Sequence, residues 1–315
     1  MIQLKALLIF IMMSSTAISV AQKKPLLPIK WKLAAVLPAA KGQSKSLGFA
    51  GAINGVNNNV LIVAGGCNFP DAMPWEGGKK FYSNEIFVLQ KTRKGYAWNK
   101  KVTTLLPEPI AYCGITSTTK GIVYAGGENV NGISNKCFFL NWNSRKNVVE
   151  VKPLADLPIA LTNVALTHID NVVYAAGGDE AKNSSKRFFR INLNDSNAQW
   201  KILPDLPVAL ANATAIAQSG KTGKEIFIIG GRSKTLSGIS DLHNTTFAFD
   251  FAKQTWRKCA NISDGKTTTN LSAAAGTAFG KNEILITGGD NGKVFHRIET
   301  YISQIVQAKT PQEKE

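Results

Sequence analysis

The residues of this chain best suited to chemistry stand at one repeated place, directly after a pair of glycines. Gly-Gly closes an apolar run five times, as LIVAGG at 61–66, IVYAGG at 122–127, VVYAAGG at 172–178, IFIIGG at 226–231 and ILITGG at 284–289. The next residues are Cys67, Glu128, Asp179, Arg232 and Asp290. Carboxylates at such equivalent positions can move protons to and from a polar ligand, and an arginine can grip a carboxylate through two parallel hydrogen bonds. A residue that leaves the inner half of each repeat would bring all five to one mouth. For Asp179 and Asp290 the alternative is that a short polar side chain merely suits the turn after the glycines.

A second concentration lies in NFPDAMPWEGGKK, Asn68 to Lys80. The connection from Gly66 to Phe81 is long for a repeat of this kind, and long connections inside compact domains are often functional. Asp71, Trp75, Glu76, Lys79 and Lys80 supply a stacking face for a sugar and both signs of charge, so substrate contact is expected here. A self-packed loop with Trp75 as its plug is the competing reading.

The elements that must position these residues also repeat. The first glycines, Gly65, Gly126, Gly177, Gly230 and Gly288, are 51 to 61 residues apart, close to the kelch period. Before each apolar run comes a small-residue strand: GFAGAING, YCGITSTT, NVALTHID, NATAIAQS or SAAAGTAF. After it comes a strand such as NEIFVLQ, KCFFLNW, KRFFRINL or TTFAFDF, then an outer strand carrying Trp98, Trp200 or Trp256, with Leu-Pro turns at 106–107, 157–158 and 206–207. Continuous β-branched runs suit buried middle strands, and glycine pairs allow positive φ and close strand approach. The expectation is an all-β, kelch-type β-propeller. WKLAAVLPAA, from Trp31, reads as an outer strand that completes the last blade.

The ends and the composition narrow the class. Lys5, the apolar run Ala6–Met13 and small residues Ser19 and Ala21 have the layout of a signal peptide spanning 1–21, which predicts a periplasmic or secreted protein without membrane insertion after cleavage. Residues 22–292 are then the propeller and 293–315 a helical insertion or tail, with Val294, Ile298, Tyr301, Ile302 and Ile305 at helical spacing. Cys67, Cys113, Cys137 and Cys259 match no metal or redox spacing and read as small buried hydrophobes, although export permits disulfides. His168, His243 and His296 are scattered, so no metal site is expected. The formal charge of +16 favours an anionic partner, but there is no local basic run or RNA-binding signature, and nucleic acid is not expected.

The stretch from Leu33 to Leu89, and above all Asn68 to Lys80 and the GGENVNG turn at 126–132, resembles the bacterial N-acetylneuraminate epimerases (sialic acid mutarotases), in their cyclically permuted branch. The resemblance implies a six-bladed exported propeller that interconverts sialic acid anomers by acid-base ring opening, without a cofactor. It makes Glu128 the first choice for acid-base catalysis. Arg232 is the candidate clamp for the sugar carboxylate, with no family match behind it. About five repeats are present, so the family's glutamate- and arginine-bearing turn of the remaining blade has no counterpart in the sequence, which puts catalysis by this chain in doubt. An incomplete ring would also expose an edge that self-association could cover. The alternative function is a non-catalytic kelch propeller that binds glycan or protein. A copper radical oxidase on a kelch frame would need converging tyrosine, histidine and cysteine ligands, which three unpatterned histidines do not suggest.

Overall fold

The structure is a computed structural model that describes residues 29–39, 44–221 and 223–307. The expected signal peptide lies outside these residues, as does the end of the tail. Met1–Ala34 and Ala35–Glu315 form separate units. Residues 29–39 carry no regular secondary structure, so the outer strand expected from Trp31 is not formed there.

Four four-stranded antiparallel sheets follow one another along the second unit, each with its strands adjacent in chain order. The first contains Ile53–Asn57, Val60–Ala64, Ile86–Thr92 and Gly95–Trp98. The second contains Gly114–Ser117, Ile122–Ala125, Cys137–Asn143 and Val148–Pro153. The third contains Ala165–Ile169, Val172–Ala176, Phe188–Asn192 and Lys201–Leu203. The fourth contains Thr214–Gly220, Gly223–Ile229, Thr246–Asp250 and Thr255–Lys258. A fifth sheet is the hairpin of Ser272–Phe279 and Glu283–Asp290, followed by the helix Phe295–Gln307. First strands of successive sheets pack against one another, which is the arrangement of propeller blades around a channel.

The core lies between blades. Three apolar clusters each span two neighbouring blades, and the leucine of each Leu-Pro turn, Leu106, Leu157 or Leu206, is buried in one of them. The repeated tryptophans have a common task. Trp98, Trp200 and Trp256 donate their indole N–H to the carbonyls of Val36, Ala155 and Pro204, at 2.7, 2.9 and 2.9 Å. Each indole thus ties a blade's outer edge to the segment that leads into that blade.

Two sets of main-chain bonds join the blades near the channel. The second glycine of each of the first four pairs donates to a carbonyl of the next blade: Gly66 to Ile110, Gly127 to Leu161, Gly178 to Leu210 and Gly231 to Leu271, at 2.7–2.8 Å. The first glycine is needed for this approach, since a Cβ on Gly177 would lie 2.1 Å from the Leu210 oxygen. Facing the glycines, Gly51, Tyr112, Asn163, Asn212 and Ala273 all adopt φ of 54–61°. In this row each N–H donates to the carbonyl of the preceding member, Tyr112 to Gly51, Asn163 to Tyr112, Asn212 to Asn163 and Ala273 to Asn212, at 2.8–3.0 Å. The result is a backbone belt across five blades.

The helix forms where the 3–4 spacing predicts it and docks through polar groups. Glu299 accepts from the Ser240 N–H and hydroxyl at 2.8 and 2.7 Å, and His296 Nε2 lies 2.7 Å from the Ser240 carbonyl. Its apolar residues Ile298, Tyr301, Ile302 and Ile305 are exposed. Cys67, Cys113 and Cys137 are buried, Cys259 is half-buried, and all four are free thiols.

Candidate functional site

The strand pairing shows why residues after Gly-Gly share one end of the channel. In the first four blades the ladder between the first two strands lapses at the glycines and resumes in register with the next residue, as Ala50 with Cys67, Ala111 with Glu128, Thr162 with Asp179 and Ala211 with Arg232; in the fifth it runs on through Gly288 to Ser272 with Asp290. Three of these residues then open a short ribbon: Cys67–Asn68 pairs with Phe81–Tyr82, Glu128–Asn129 with Gly132–Ile133, and Arg232–Ser233 with Asp241–Leu242. The first strands below line a cavity of about 810 Å³, to which the five blades contribute Asn54, Thr116, Thr167, Thr214 and Gly276 among others. Its histidine, His168, has Nδ1 2.9 Å from Thr116 Oγ1, and burial holds it below the usual imidazole range.

Between the first and second blades the ribbon pairing sets Tyr82 opposite Cys67. Tyr82 donates its phenol to Glu128 Oε1 at 2.9 Å, and Lys80 Nζ donates to the same oxygen at 3.2 Å. The second oxygen of Glu128 has no protein hydrogen bond among the described residues. Lys80 Nζ also lies 5.6 Å from the Tyr82 ring centre and 5.4 Å from that of Tyr112, within cation-π range. Cys67 donates its thiol to the Tyr112 hydroxyl at 3.3 Å. Burial alone would lower the Lys80 ammonium, but the Glu128 carboxylate outweighs it and holds the group above its ordinary value. Burial, together with the bond to Glu128, pushes the Tyr82 phenol up. Tyr112 is also pushed up, first by burial and then by Cys67. A carboxylate, an ammonium and two neutral phenols therefore meet at this mouth.

The other expected residues are placed differently. Asp179 is 1% exposed; it accepts from Arg232 Nη2 at 2.6 Å, Ser184 Oγ at 2.8 Å and Asn163 Nδ2 at 3.4 Å, and Lys234 Nζ stands 4.0 Å away. Arg232 is 12% exposed and its Nε is buried without a partner among the described residues. These two thus form a buried ion pair, in which Arg232 already holds a carboxylate of the chain. The Asp290 carboxylate accepts from the Gly292 N–H of its own turn. In the loop, Pro74–Glu76 form a single 3-10 turn, and Glu76, exposed, accepts from the Met73 N–H through Oε2 at 3.0 Å. The Trp75 side chain lies outside the described set. Asp71 and Lys79 are exposed, while the adjacent Lys80 reaches Glu128. Tyr82 and Tyr112 were not singled out from the sequence. Tyr112 could have been found as the aromatic exception in a row otherwise filled by glycine, asparagine and alanine.

The sequence profile of the N-acetylneuraminate epimerase family matches residues 154–315, just over half of the chain. N-acetylneuraminate epimerases of Vibrio vulnificus and Vibrio cholerae are 36% and 35% identical over 126 and 131 residues, covering 37% and 38% of this chain and 31% and 32% of theirs. The chain thus matches about a third of the length of these curated relatives. A kelch repeat and BTB domain-containing protein of cowpox virus is 27% identical over 181 residues, 52% of this chain and 30% of its own. The solved structure of YjhT superposes with a TM-score of 0.62 at 12% identity over 78% of each chain, a likeness of fold. On its repeats, its blades and this profile, the chain belongs to the N-acetylneuraminate epimerase family and is built as a kelch-type β-propeller.

Proposed function

We propose that the mouth between the first two blades interconverts the α and β anomers of N-acetylneuraminate, with Glu128 as base and Tyr82 as proton donor. The observation that carries this reading is Glu128 itself: Oε1 is held by Tyr82 and Lys80, and Oε2 is left over for a ligand. Opening a cyclic hemiketal needs a proton taken from the anomeric hydroxyl and one given to the ring oxygen as the bond between them and the anomeric carbon rearranges. Glu128 Oε2 takes the first, the carbon–ring-oxygen bond breaks, and the Tyr82 phenol gives the second. The open form then faces a protonated Oε2 and a Tyr82 phenolate, and each group recovers its starting state only when the ring recloses. Closure on the other face runs the same steps backwards. No electron is transferred, and Lys80 meets the sugar carboxylate.

Freshly released α anomer, followed by NMR with the full chain added, tests this. Wild type accelerates exchange, and Glu128→Gln slows it by roughly 100-fold or more. Exchange no faster than in buffer overturns catalysis, and saturable binding without exchange identifies a glycan-binding propeller instead. Export is part of the same proposal and rests on the pattern from Lys5 to Ala21. An exported product whose first residue is Gln22 supports it, and a retained Met1 removes it.

A further inference from the structure

The backbone belt is occupied by Gly51, Tyr112, Asn163, Asn212 and Ala273. Glycine and asparagine enter the left-handed region readily, whereas an aromatic residue there is strained. Tyr112, with φ of 57°, cannot relax alone: its N–H donates to Gly51 and its carbonyl accepts from Asn163, both at 2.8 Å. Its ring lies across Gly51, where a Cβ would come within 2.5 Å of Tyr112 Cδ1. The position in the first blade that faces this ring is thus one that only glycine fills. The face of the ring is turned to Lys80 Nζ at 5.4 Å, and the hydroxyl accepts the Cys67 thiol at 3.3 Å. Strain of this kind persists where surroundings impose it and is concentrated at ligand sites.

We propose that Tyr112 is a positioning residue, retained in a strained backbone because its ring, with that of Tyr82, fixes the Lys80 ammonium where the anionic group of a ligand arrives. Lysine carries a long flexible stem, so a free ammonium would spread over many rotamers. Two ring faces and one carboxylate oxygen confine it. Asparagine, present at the equivalent place in the next two blades as Asn163 and Asn212, would suit the backbone better but present no ring.

The test uses the full chain with Tyr112→Asn, Tyr112→Phe, Lys80→Met and Lys80→Arg. Tyr112→Asn should melt at a higher temperature than wild type, and Tyr112→Phe, which keeps ring and strain, should not. The place of the ammonium is read from the NMR signal of 13C-dimethylated Lys80, assigned by its loss in Lys80→Arg. That signal should be shifted by the rings in wild type and Tyr112→Phe, and should return to the exposed-lysine position in Tyr112→Asn. Binding of N-acetylneuraminate against its methyl ester gives the consequence: the preference for the acid should fall roughly tenfold in Tyr112→Asn and Lys80→Met and survive in Tyr112→Phe. A Tyr112→Asn chain that melts lower or fails to fold overturns the proposal, and so does an unmoved Lys80 signal. The choice of sugar rests on the proposed function. If wild type binds neither form, that function falls, while melting and the Lys80 signal still decide the role of Tyr112.

Discussion

The mouth between blades one and two and the mouth between blades three and four are built from the same repeat positions and reach opposite ends. Glu128 and Asp179 both follow Gly-Gly, and both re-enter the ladder opposite the segment that starts their own blade. Asp179 is sealed at 1% exposure with an arginine, a hydroxyl and an amide on its two oxygens. Glu128 keeps 25% of its side chain exposed and one oxygen without a protein donor among the described residues. Position in a repeat therefore fixes where a carboxylate sits, and its neighbours decide whether it can react. A saturated buried pair resists change of partner, whereas a half-satisfied carboxylate can accept a proton from a ligand.

Arg232→Met offers the largest contrast. Removing one partner of a buried pair leaves the other charge stranded, and about 3 kcal/mol of stability should go in urea unfolding. Asp179→Asn with Arg232→Met should restore part of it. A loss under 1 kcal/mol would mean that Arg232 is held for a ligand and not for Asp179, and would erase the distinction between the mouths. The frame is expected to be common to both: Gly126→Ala and Gly177→Ala each drive a Cβ against a carbonyl of the next blade, and each should cost roughly 2–4 kcal/mol. Gly288→Ala, with nothing within 4 Å of the new carbon, should lose only the conformational part, about 1–2 kcal/mol. Lys80→Met should change stability by about 1 kcal/mol or less, because the Lys80–Glu128 pair is partly exposed and screened. Unfolding midpoints at low and high salt would read this.

The smallest effect is pH dependence. Burial lowers His168 and His243 in the folded chain, so the unfolded chain binds more protons as pH falls below about 6.5. Stability should decline from there until the folded histidines titrate, and His168→Gln should flatten part of the decline. His168 faces Thr116, with Asp170 and Lys224 as the nearby charges, so a slope unchanged by His168→Gln would assign the proton uptake to His243.

The frame was legible because its signals are local. Gly-Gly after IVYA or IFII, the Leu-Pro turn and the repeated tryptophan each have one backbone task, and the blades appear where these signals predict them. The family resemblance read from the segment at Asn68–Lys80 and GGENVNG agrees with a profile match over 154–315, a different part of the chain. The site was less legible, because pairing across blades has no period. Nothing in RSK, Arg232 to Lys234, announces that its arginine will close on Asp179, fifty-three residues earlier. Nor does KKFY, Lys79 to Tyr82, say that Lys80 and Tyr82 both reach Glu128 while Lys79 faces solvent.

The belt through Gly51, Tyr112, Asn163, Asn212 and Ala273 is made of main-chain atoms alone. Its bonds are indifferent to the side chain each member carries, provided that the residue can hold a positive φ. The hoop itself therefore does not depend on which side chains it carries, although Gly51 has no room for one beside the Tyr112 ring and Asn163 turns its amide to Asp179. A fold of this kind can acquire or lose a ligand group by substitution along the hoop while the main-chain bonds that hold the blades in place stay as they are.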